Sequence, residues 1–318
     1  MPPRVSVIVP TYGRPEWCEQ AVRSALAQDG VDVEVVVALD GDQPDTRRRI
    51  EALADARVRL VAHAHSGHAA TRNLGLSHAT ADLVAFLDDD DVLLPGGLAA
   101  RADALSRHPD AVLAYGLPVA MGADGVEDPG SRSQAARGRE TCKRRLDVFL
   151  RGVPTPFSST VLARREVVER AGRFDAGLTV GEDWAFFLRM AALGAFVFVP
   201  KPTVLYRRHE GQTRADPAAQ EAGIEAFAAR YFDDLATPEE ARRRRSSLLG
   251  LHYNWIARNY RRAGDLPSYR RCFRRAVRLR PSLLWNPRRA LRYLGAALRI
   301  GSTGRDLEAG RVARPGKV

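Results

Sequence analysis

Short apolar segments alternate with helix-like segments along the first 90 residues of this chain. The apolar segments read VSVIV (5–9), VEVVVALD (33–40), RVRLVAH (57–63) and DLVAFLD (82–88). Strands that are this uniformly apolar are typical of sheets buried on both faces, and helices between them connect parallel strands. The sequence therefore predicts an α/β fold with a mostly parallel central sheet flanked by helices.

Acidic residues stand at the ends of two of these strands. Asp40 ends the second segment, and FLDDDD places four carboxylates at Asp88–Asp91 directly after the fourth. Ligands of parallel sheets bind at the carboxyl ends of the strands. In an extended chain, Asp88 and Asp90 point to one side and Asp89 and Asp91 to the other. Two convergent carboxylates suit Mg²⁺ or Mn²⁺, which keeps coordination positions open for phosphates.

A plainer interpretation of the acidic run needs no metal. Asp91 would cap the helix that PGGLAARADAL (95–105) predicts, and the other acids would be solvated. Capping accounts for one carboxylate, but hardly for four that follow a buried strand. The sequence therefore favours a metal–phosphate site.

A histidine-rich segment, HAHSGH, raises the separate question of a zinc site. It contains His63, His65 and His68, and imidazoles at short spacing can bind zinc. The spacing is not that of a standard zinc motif. We therefore expect exposed loop histidines here.

Five motifs occur in a characteristic order between residues 4 and 214. They read VSVIVPTYGRPEWCEQAVRSALAQ, EVVVALDGD, ATRNLGLSHATADLVAFLDDDDVLLPGGL, GRFDAGLTVGEDWAFFLRMAALG and YRRHEGQT. Together they resemble the family 2 glycosyltransferases of the GT-A fold. The resemblance implies transfer of a sugar from a nucleotide diphosphate donor, most simply a UDP-sugar, with inversion and with Mg²⁺ or Mn²⁺ as cofactor.

The resemblance also implies roles for individual residues. It assigns donor binding to Pro10, Thr11, Tyr12, Asp40, Arg72, Asp88 and Asp89. The metal would bind Asp90 and His209, and Asp183 of GED would be the catalytic base. Glu182 and Trp184 would lie on the acceptor side.

Some of these assignments have simpler interpretations or depart from the family pattern. Acids such as Glu182 and Asp183 are also favoured in the first turn of a helix by its dipole, and an aromatic residue such as Trp184 often belongs to the core. Leu39 stands where the family usually has a second acid before Asp40. Because Asp40 is present, recognition of a base is still expected, without deciding which base.

The arginines of the chain are concentrated in its last quarter. Residues 237–318 hold 21 Lys and Arg against 5 Asp and Glu, whereas residues 1–236 hold 28 against 33. No nucleic-acid-binding motif accompanies this charge, and the first part is acidic, so no nucleic-acid partner is expected. Three scattered cysteines, no apolar run long enough to span a membrane and no room for a signal peptide predict a cytoplasmic protein.

Two helical patterns occupy the basic region. Residues 250–281 resemble one tetratricopeptide hairpin, which cannot bury its own apolar face and should pack on a neighbour. Residues 286–301 form a basic amphipathic pattern that suits either an anionic membrane surface or a solvated helix face. The predicted domains are 1–214, with a nucleotide-sugar half (1–116) and an acceptor half (117–214), and a helical extension, 215–318.

The predicted protein is an inverting glycosyltransferase, cytoplasmic or peripheral on the inner face of a membrane. Its acceptor would be a hydroxyl of a glycan, a lipid-linked sugar or another molecule, in cell-surface polysaccharide or glycoconjugate synthesis. Two alternatives remain open at this point. A nucleotidyltransferase could share the α/β core and its metal-binding acids, and a non-enzymatic scaffold could use the helical extension.

Overall fold

The computed structural model divides the chain into two compact units, residues 1–248 and 249–318. It describes residues 1–131, 139–144, 156–212, 216–232 and 239–285. The domain boundary after residue 214, which follows from the motifs, stays a prediction. Residues 132–138 of the glycine-, serine- and arginine-rich stretch 123–140, which the sequence predicts to be a loop, lie outside the described residues, as does the amphipathic pattern 286–301. The segment LDVFLRG (146–152), where the sequence predicts that order returns, also lies outside them.

In the described part of the first unit, nine strands form one sheet. Its strands are β1 (Arg4–Thr11), β2 (Asp32–Asp40), β3 (Val58–His63), β4 (Leu83–Phe86), β5 (Val92–Leu93), β6 (Ala111–Met121), β7 (Thr141–Arg144), β8 (Val161–Arg164) and β9 (Ala195–Arg207). The first four strands lie where the apolar segments predict them. The side chains of β1, β2 and β4 are mostly buried, whereas β3, at the edge of the sheet, has none that is fully buried.

The strand order is β3-β2-β1-β4-β8-β6-β9-β5. Strand β7 is not part of this order and pairs with β9. Strands β1 to β4 are parallel, as are β6 and β9, whereas β8 runs antiparallel to both of its neighbours. The predicted α/β class, a mostly parallel sheet flanked by helices and followed by a helical region, is confirmed. The parallel part brings the ends of β1, β2 and β4 to one edge.

Helices cover this sheet and continue into the second unit. They are α1 (Pro15–Leu26), α2 (Pro44–Glu51), α3 (His68–Ser77), α4 (Gly97–Arg107), α5 (Arg165–Arg170), α6 (Glu182–Leu193), α7 (Pro217–Phe232), α8 (Glu239–Arg243), α9 (Arg245–Arg262) and α10 (Leu266–Leu279). Helix α1 shows why they form. It has proline in its first turn and buries Cys18, Val22 and Ala25 at helical spacing.

Helix α3 lies unusually close to the sheet. A Cβ atom on Gly75 would come within 2.4 Å of Ile8 Cγ2, so this position has room only for glycine. The close approach carries Arg72, on the same helix, to the end of β4, where its side chain reaches Asp88. The packing of one glycine therefore helps to position the acidic run.

The described part of the second unit, residues 249–285, is a pair of helices. Asp265 caps α10 by accepting a hydrogen bond from Ser268 N, and the pair is in contact where a Cβ on Gly250 would lie 2.7 Å from Arg280 Cβ. Buried residues of this unit include Tyr253, Ala257, Tyr260, Tyr269 and Phe273. The predicted helical character is confirmed, whereas the likeness to a tetratricopeptide hairpin stays a prediction. Among the described residues, no helix has the length and apolarity needed to cross a membrane.

Candidate active site

The acidic run after β4 forms a turn. The strand ends at Phe86, and Asp91 N donates a hydrogen bond to the carbonyl of Asp88 at 3.0 Å. One carboxylate oxygen from each of Asp88, Asp90 and Asp91 lies within 4.8 Å of the others. Asp88 and Asp90 converge as predicted. The prediction that Asp91 points to the opposite side was wrong, because the chain stops being extended at the turn.

Asp91 has a different role from the capping interpretation. Helix α4 begins after Gly96 and has no side-chain cap, whereas Asp91 Oδ1 accepts the backbone N–H of Arg207 at 3.1 Å. The capping alternative is therefore wrong. Burial, with the charges of Asp90 and Asp88, raises the pKa of Asp91 well above its usual range. A cation at this turn would offset that repulsion.

Three basic side chains, Arg14, His209 and Arg207, lie against the middle of the run. Arg14 Nη1 donates to Asp89 Oδ1 at 2.8 Å and to Asp90 Oδ2 at 3.0 Å. His209 Nε2 lies 2.9 Å from the same oxygen of Asp90. Arg207 Nε adds a hydrogen bond to the carbonyl of Asp90 at 2.9 Å. The sequence reasoning found His209 but missed Arg14, although a lone cation in the β1–α1 loop was a usable signal.

Arg72 connects the acidic run to helix α6. It is buried, and its guanidinium donates to Asp88 Oδ1 at 2.7 Å and to Glu182 Oε1 at 3.0 Å. The ring of Phe174 lies 5.1 Å from the guanidinium carbon. Although burial favours the protonated acid, the Arg72 charge holds the pKa of Asp88 far below its usual range. Arg72 thus brings the donor and acceptor candidates together.

Asp183 lies in the first turn of α6, next to Glu182. The helix begins after Gly181, which has a φ of +83°, and Asp183 Oδ1 accepts the N–H of Trp184 at 2.7 Å. Burial, with the charge of Glu182, raises the pKa of Asp183 to about 6. The half-buried ring of Trp184 meets Phe227 edge-on with centroids 6.3 Å apart. The first-turn position fits the helix-dipole interpretation, and the raised pKa fits a base.

Asp40 organises the loop after β3. Its carboxylate accepts the N–H groups of Ser66 at 2.7 Å and Gly67 at 3.1 Å, and His65 Nδ1 lies 3.0 Å away. The ring of Tyr12 is exposed and lies on that of His65, with centroids 4.6 Å apart. These rings and Asp40 line the end of β2, where a base is expected to bind.

The three histidines of HAHSGH contact residues of the candidate site. His63 is largely covered and hydrogen-bonds Thr71 Oγ1 at 3.0 Å, whereas His68 Nε2 lies 3.5 Å from Asp88 Oδ1. The expectation of exposed loop histidines was therefore wrong for His63 and incomplete for His65 and His68. Their partners are carboxylates and a hydroxyl, and no three of the histidines group as metal ligands in the described chain.

The end of β1 completes the site. Pro10 and Thr11 are buried at its last residues, and Gln43 Nε2 donates to the carbonyl of Thr11 at 2.8 Å. Gln43 Oε1 accepts the N–H of Gly13, also at 2.8 Å. Gln43 was not found from the sequence, because nothing local marks it as a partner of the first strand. It fixes the loop that carries Tyr12.

The comparisons with known proteins agree with this arrangement. The model of the family described as Glycosyl transferase family 2 matches residues 6–172. The succinoglycan biosynthesis protein ExoO of Rhizobium meliloti is 32% identical over 265 residues, which cover 76% of this chain and 73% of that protein. This chain belongs to glycosyl transferase family 2.

Solved structures support the same fold for this family 2 member. The mannosyltransferase PcManGT from Pyrobaculum calidifontis, in complex with GDP-Man and Mn²⁺, superposes with a TM-score of 0.58 at 19% identity, covering 94% of this chain and 81% of that one. S. aureus TarS 1-349 in complex with UDP-GlcNAc gives 0.53 at 20% identity, covering 85% and 90%. The prediction of a glycosyltransferase is confirmed, and the nucleotidyltransferase and scaffold alternatives lose their support.

The buried position of Arg72 leads to a prediction about stability. Arg72→Gln leaves Asp88 and Glu182 without their shared cation, which should lower the free energy of unfolding by about 3 kcal/mol near neutral pH. Without Arg72 the pKa of Asp88 rises, so the difference from the parent should shrink as the pH falls to about 4.5 and the acid takes up a proton. Urea unfolding at both pH values measures this.

A matched control is Arg49→Gln. Arg49 also pairs with two acids, Glu16 at 2.6 Å and Glu19 at 3.1 Å, but on an exposed surface. Its loss should change the free energy of unfolding by about 0.5 kcal/mol or less. Equal effects of the two substitutions, or a gap for Arg72→Gln that widens in acid, would contradict the buried bridge.

Proposed function

We propose that this protein transfers a sugar, with inversion and in a metal-dependent reaction, from a nucleoside diphosphate to a hydroxyl of its acceptor. The observation that carries the proposal is the Arg72 bridge, which joins the acidic turn of Asp88 to the helix start at Glu182 and Asp183. Arg72 thereby holds the acidic turn, which suits a departing diphosphate, close to Asp183, which suits the acceptance of a proton. The relative ExoO is a succinoglycan biosynthesis protein, which supports a role in polysaccharide or glycoconjugate synthesis.

The donor set of the acidic turn fits a small divalent cation. Carboxylate oxygens of Asp88, Asp90 and Asp91 lie close together, and hard oxygen ligands are those that Mg²⁺ and Mn²⁺ prefer. Asp90 is the central candidate, with His209 beside it. When bound, such an ion supplies positive charge that stabilises the departing diphosphate. PcManGT, whose structure is a complex with Mn²⁺, supports the same choice.

Asp183 is the proposed base. Inversion by direct displacement needs one group to accept the proton of the attacking hydroxyl and no enzyme nucleophile. A carboxylate whose pKa is about 6 is ionised at neutral pH and is a stronger base than an ordinary one. The N–H of Trp184 holds one of its oxygens. Glu182 and Trp184 would then border the acceptor.

The donor is proposed to extend from β2 to the acidic turn. Pro10, Thr11 and Tyr12 would border the base, which Asp40 and the loop it organises would recognise. Asp88 and Asp89 would lie near the diphosphate, and Arg72 would act there by holding Asp88. UDP is the first choice, supported by the UDP-GlcNAc of TarS, whereas GDP-Man in PcManGT keeps a guanine donor in the test.

We further propose a lipid-linked acceptor and contact with an anionic membrane surface. Helix α10 exposes a stripe of arginines along a groove, formed by Arg271, Arg274, Arg275 and Arg278 with Pro267. Residues 249–285 contain nine arginines and one acid. Trp285 is 85% exposed and Trp255 39% exposed in the same unit. Arginine with exposed tryptophan is the combination that binds the interface of anionic bilayers.

Separate roles for Asp183 and Asp90 can be tested with two variants. Asp183→Asn removes the base, so the turnover number should fall by about a thousandfold while Mn²⁺-dependent binding of the donor is kept. Asp90→Ala removes a metal ligand, so donor affinity in Mn²⁺ should fall about tenfold or more. Calorimetric titration of UDP- and GDP-sugars and a transfer assay measure both. Equal losses of donor affinity would contradict the roles.

The raised pKa of Asp183 predicts an acid limit to activity. A base must be deprotonated, so kcat/KM should fall about tenfold per pH unit below a pH of about 6 and be level above it. Donor binding, measured over the same range, separates this effect from loss of substrate. Activity that stays level down to about pH 4.5 would rule out Asp183 as the base.

The membrane proposal predicts binding to anionic vesicles. The full chain should sediment with phosphatidylglycerol-containing vesicles and not with pure phosphatidylcholine, and replacing the four stripe arginines by glutamine should weaken this at least about tenfold. The matched control replaces four exposed arginines of the first unit: Arg4, Arg23, Arg47 and Arg48. Equal loss in both variants, or equal binding to neutral vesicles, would contradict the assigned surface.

A further inference from the structure

Arg14 lies between two neighbouring carboxylates of the acidic turn. Its Nη1 atom bonds oxygens of two neighbouring acids, Asp89 and Asp90, at 2.8 Å and 3.0 Å. Although burial opposes it, the charges of these acids raise the pKa of Arg14 above its already high value. The acid that Arg14 shares with His209 is Asp90, the central candidate for the metal.

The guanidinium groups of Arg72 and Arg14, which both bind carboxylates of the acidic turn, differ in how firmly they are held. The side chain of Arg72 is 3% exposed and is bound at both ends, to Asp88 and to Glu182. The side chain of Arg14 is 31% exposed and starts from the β1–α1 loop, directly after Gly13, whose φ is +69°. Arg14 has solvent beside it and can move, but its partners Asp89 and Asp90 are only 5% and 10% exposed. Arg14 can therefore leave these buried acids only when another cation takes its place.

A tryptophan on helix α1 lies beside Arg14 in the conformation that binds the two acids. The Arg14 guanidinium carbon lies 5.9 Å from the ring centre of Trp17, which is within the range of a cation–π contact. Trp17 in turn lies 4.8 Å from the His209 ring and 4.9 Å from the Arg207 guanidinium carbon. Arg14 therefore contacts an aromatic surface as well as the two acids.

We propose that Arg14 is a counter-ion which competes with the divalent metal for Asp90 and then binds the donor's diphosphate. The inference rests on the proposed function. A guanidinium and a doubly charged ion on one carboxylate repel each other, so metal binding drives Arg14 away from Asp90. A diphosphate brings the negative charge that such a guanidinium binds best, through paired hydrogen bonds.

The consequence is coupling between metal and nucleotide. Metal alone must displace Arg14 without offering it an anion in exchange, and so binds weakly. Metal together with a diphosphate gives Arg14 a new partner, so each ligand strengthens the binding of the other by the same factor. Arg14 would thereby keep the metal site closed to ions until a donor is present.

The test is Arg14→Gln, with binding measured in place of turnover. Without nucleotide, the variant should bind Mn²⁺ several-fold more tightly than the parent, as free Mn²⁺ measured by electron paramagnetic resonance reports. In saturating Mn²⁺ it should bind UDP, or GDP tested in parallel, about tenfold more weakly. The mutual strengthening of metal and nucleotide should fall accordingly. Arg14→Lys, which keeps the charge but not the paired hydrogen bonds, should bind Mn²⁺ like the parent and the nucleotide weakly.

Arg14→Gln should strengthen Mn²⁺ binding and weaken nucleotide binding, and these opposite effects separate the proposed role from a structural one. If Arg14 only anchors its loop, Arg14→Gln weakens both ligands and lowers the melting temperature, and the inference is overturned. Unchanged Mn²⁺ binding overturns it as well. If the parent binds Mn²⁺ and nucleotide normally, such a result leaves the proposed function standing. A parent that binds no Mn²⁺ even with UDP or GDP overturns the metal-dependent function and this inference together.

Discussion

Repulsion among the carboxylates of one turn is the constraint on which the rest of the site depends. Asp88 to Asp91 follow a buried strand, and the charge or lone pairs of each are stabilised by a hydrogen-bond donor from another part of the chain. Asp88 has Arg72, Asp89 and Asp90 share Arg14, and Asp91 accepts a backbone N–H of β9. These partners come from α3, the β1–α1 loop and β9, so the turn can exist only where those elements meet. The fold of the first unit therefore supplies the hydrogen-bond donors and cations that these buried acids require.

The first half of the fold could be predicted because its signals are local. Apolar runs and helical spacing place β1 to β4 and the helices between them, and the end-of-strand rule then brings Asp40 to the same edge as the acidic run. The positions of the later strands in the sheet could not be predicted in the same way. Strand β8 is only four residues long, Val161–Arg164, and lies antiparallel between β4 and β6, which no period in the sequence announces.

The contacts that the sequence did not reveal are those between residues far apart in the chain. Arg14 and Asp89 are 75 residues apart, and Gln43 reaches Thr11 from the loop before α2. Each is an ordinary polar residue in its own segment, and only the packing of α1 and α2 against the sheet makes it a partner. The error about Asp91 has a related cause. Alternation of side chains holds for an extended chain, and a hydrogen bond within the run itself ended that extension.

One guanidinium explains why two carboxylates of the site differ. Arg72 donates its hydrogen bonds to Asp88 and Glu182, so the pKa of Asp88 falls, while Asp183 next to Glu182 has burial and a like charge without a hydrogen bond from Arg72, and its pKa rises to about 6. Two neighbouring acids whose environments shift their pKa values in opposite directions are suited to different chemical roles. The low pKa of Asp88 suits the proposed place beside cations and phosphate, and the raised pKa of Asp183 suits the proposed base for the acceptor hydroxyl. The position of Arg72 against Asp88, together with the burial of Asp183 beside Glu182, therefore separates the pKa values of the two acids.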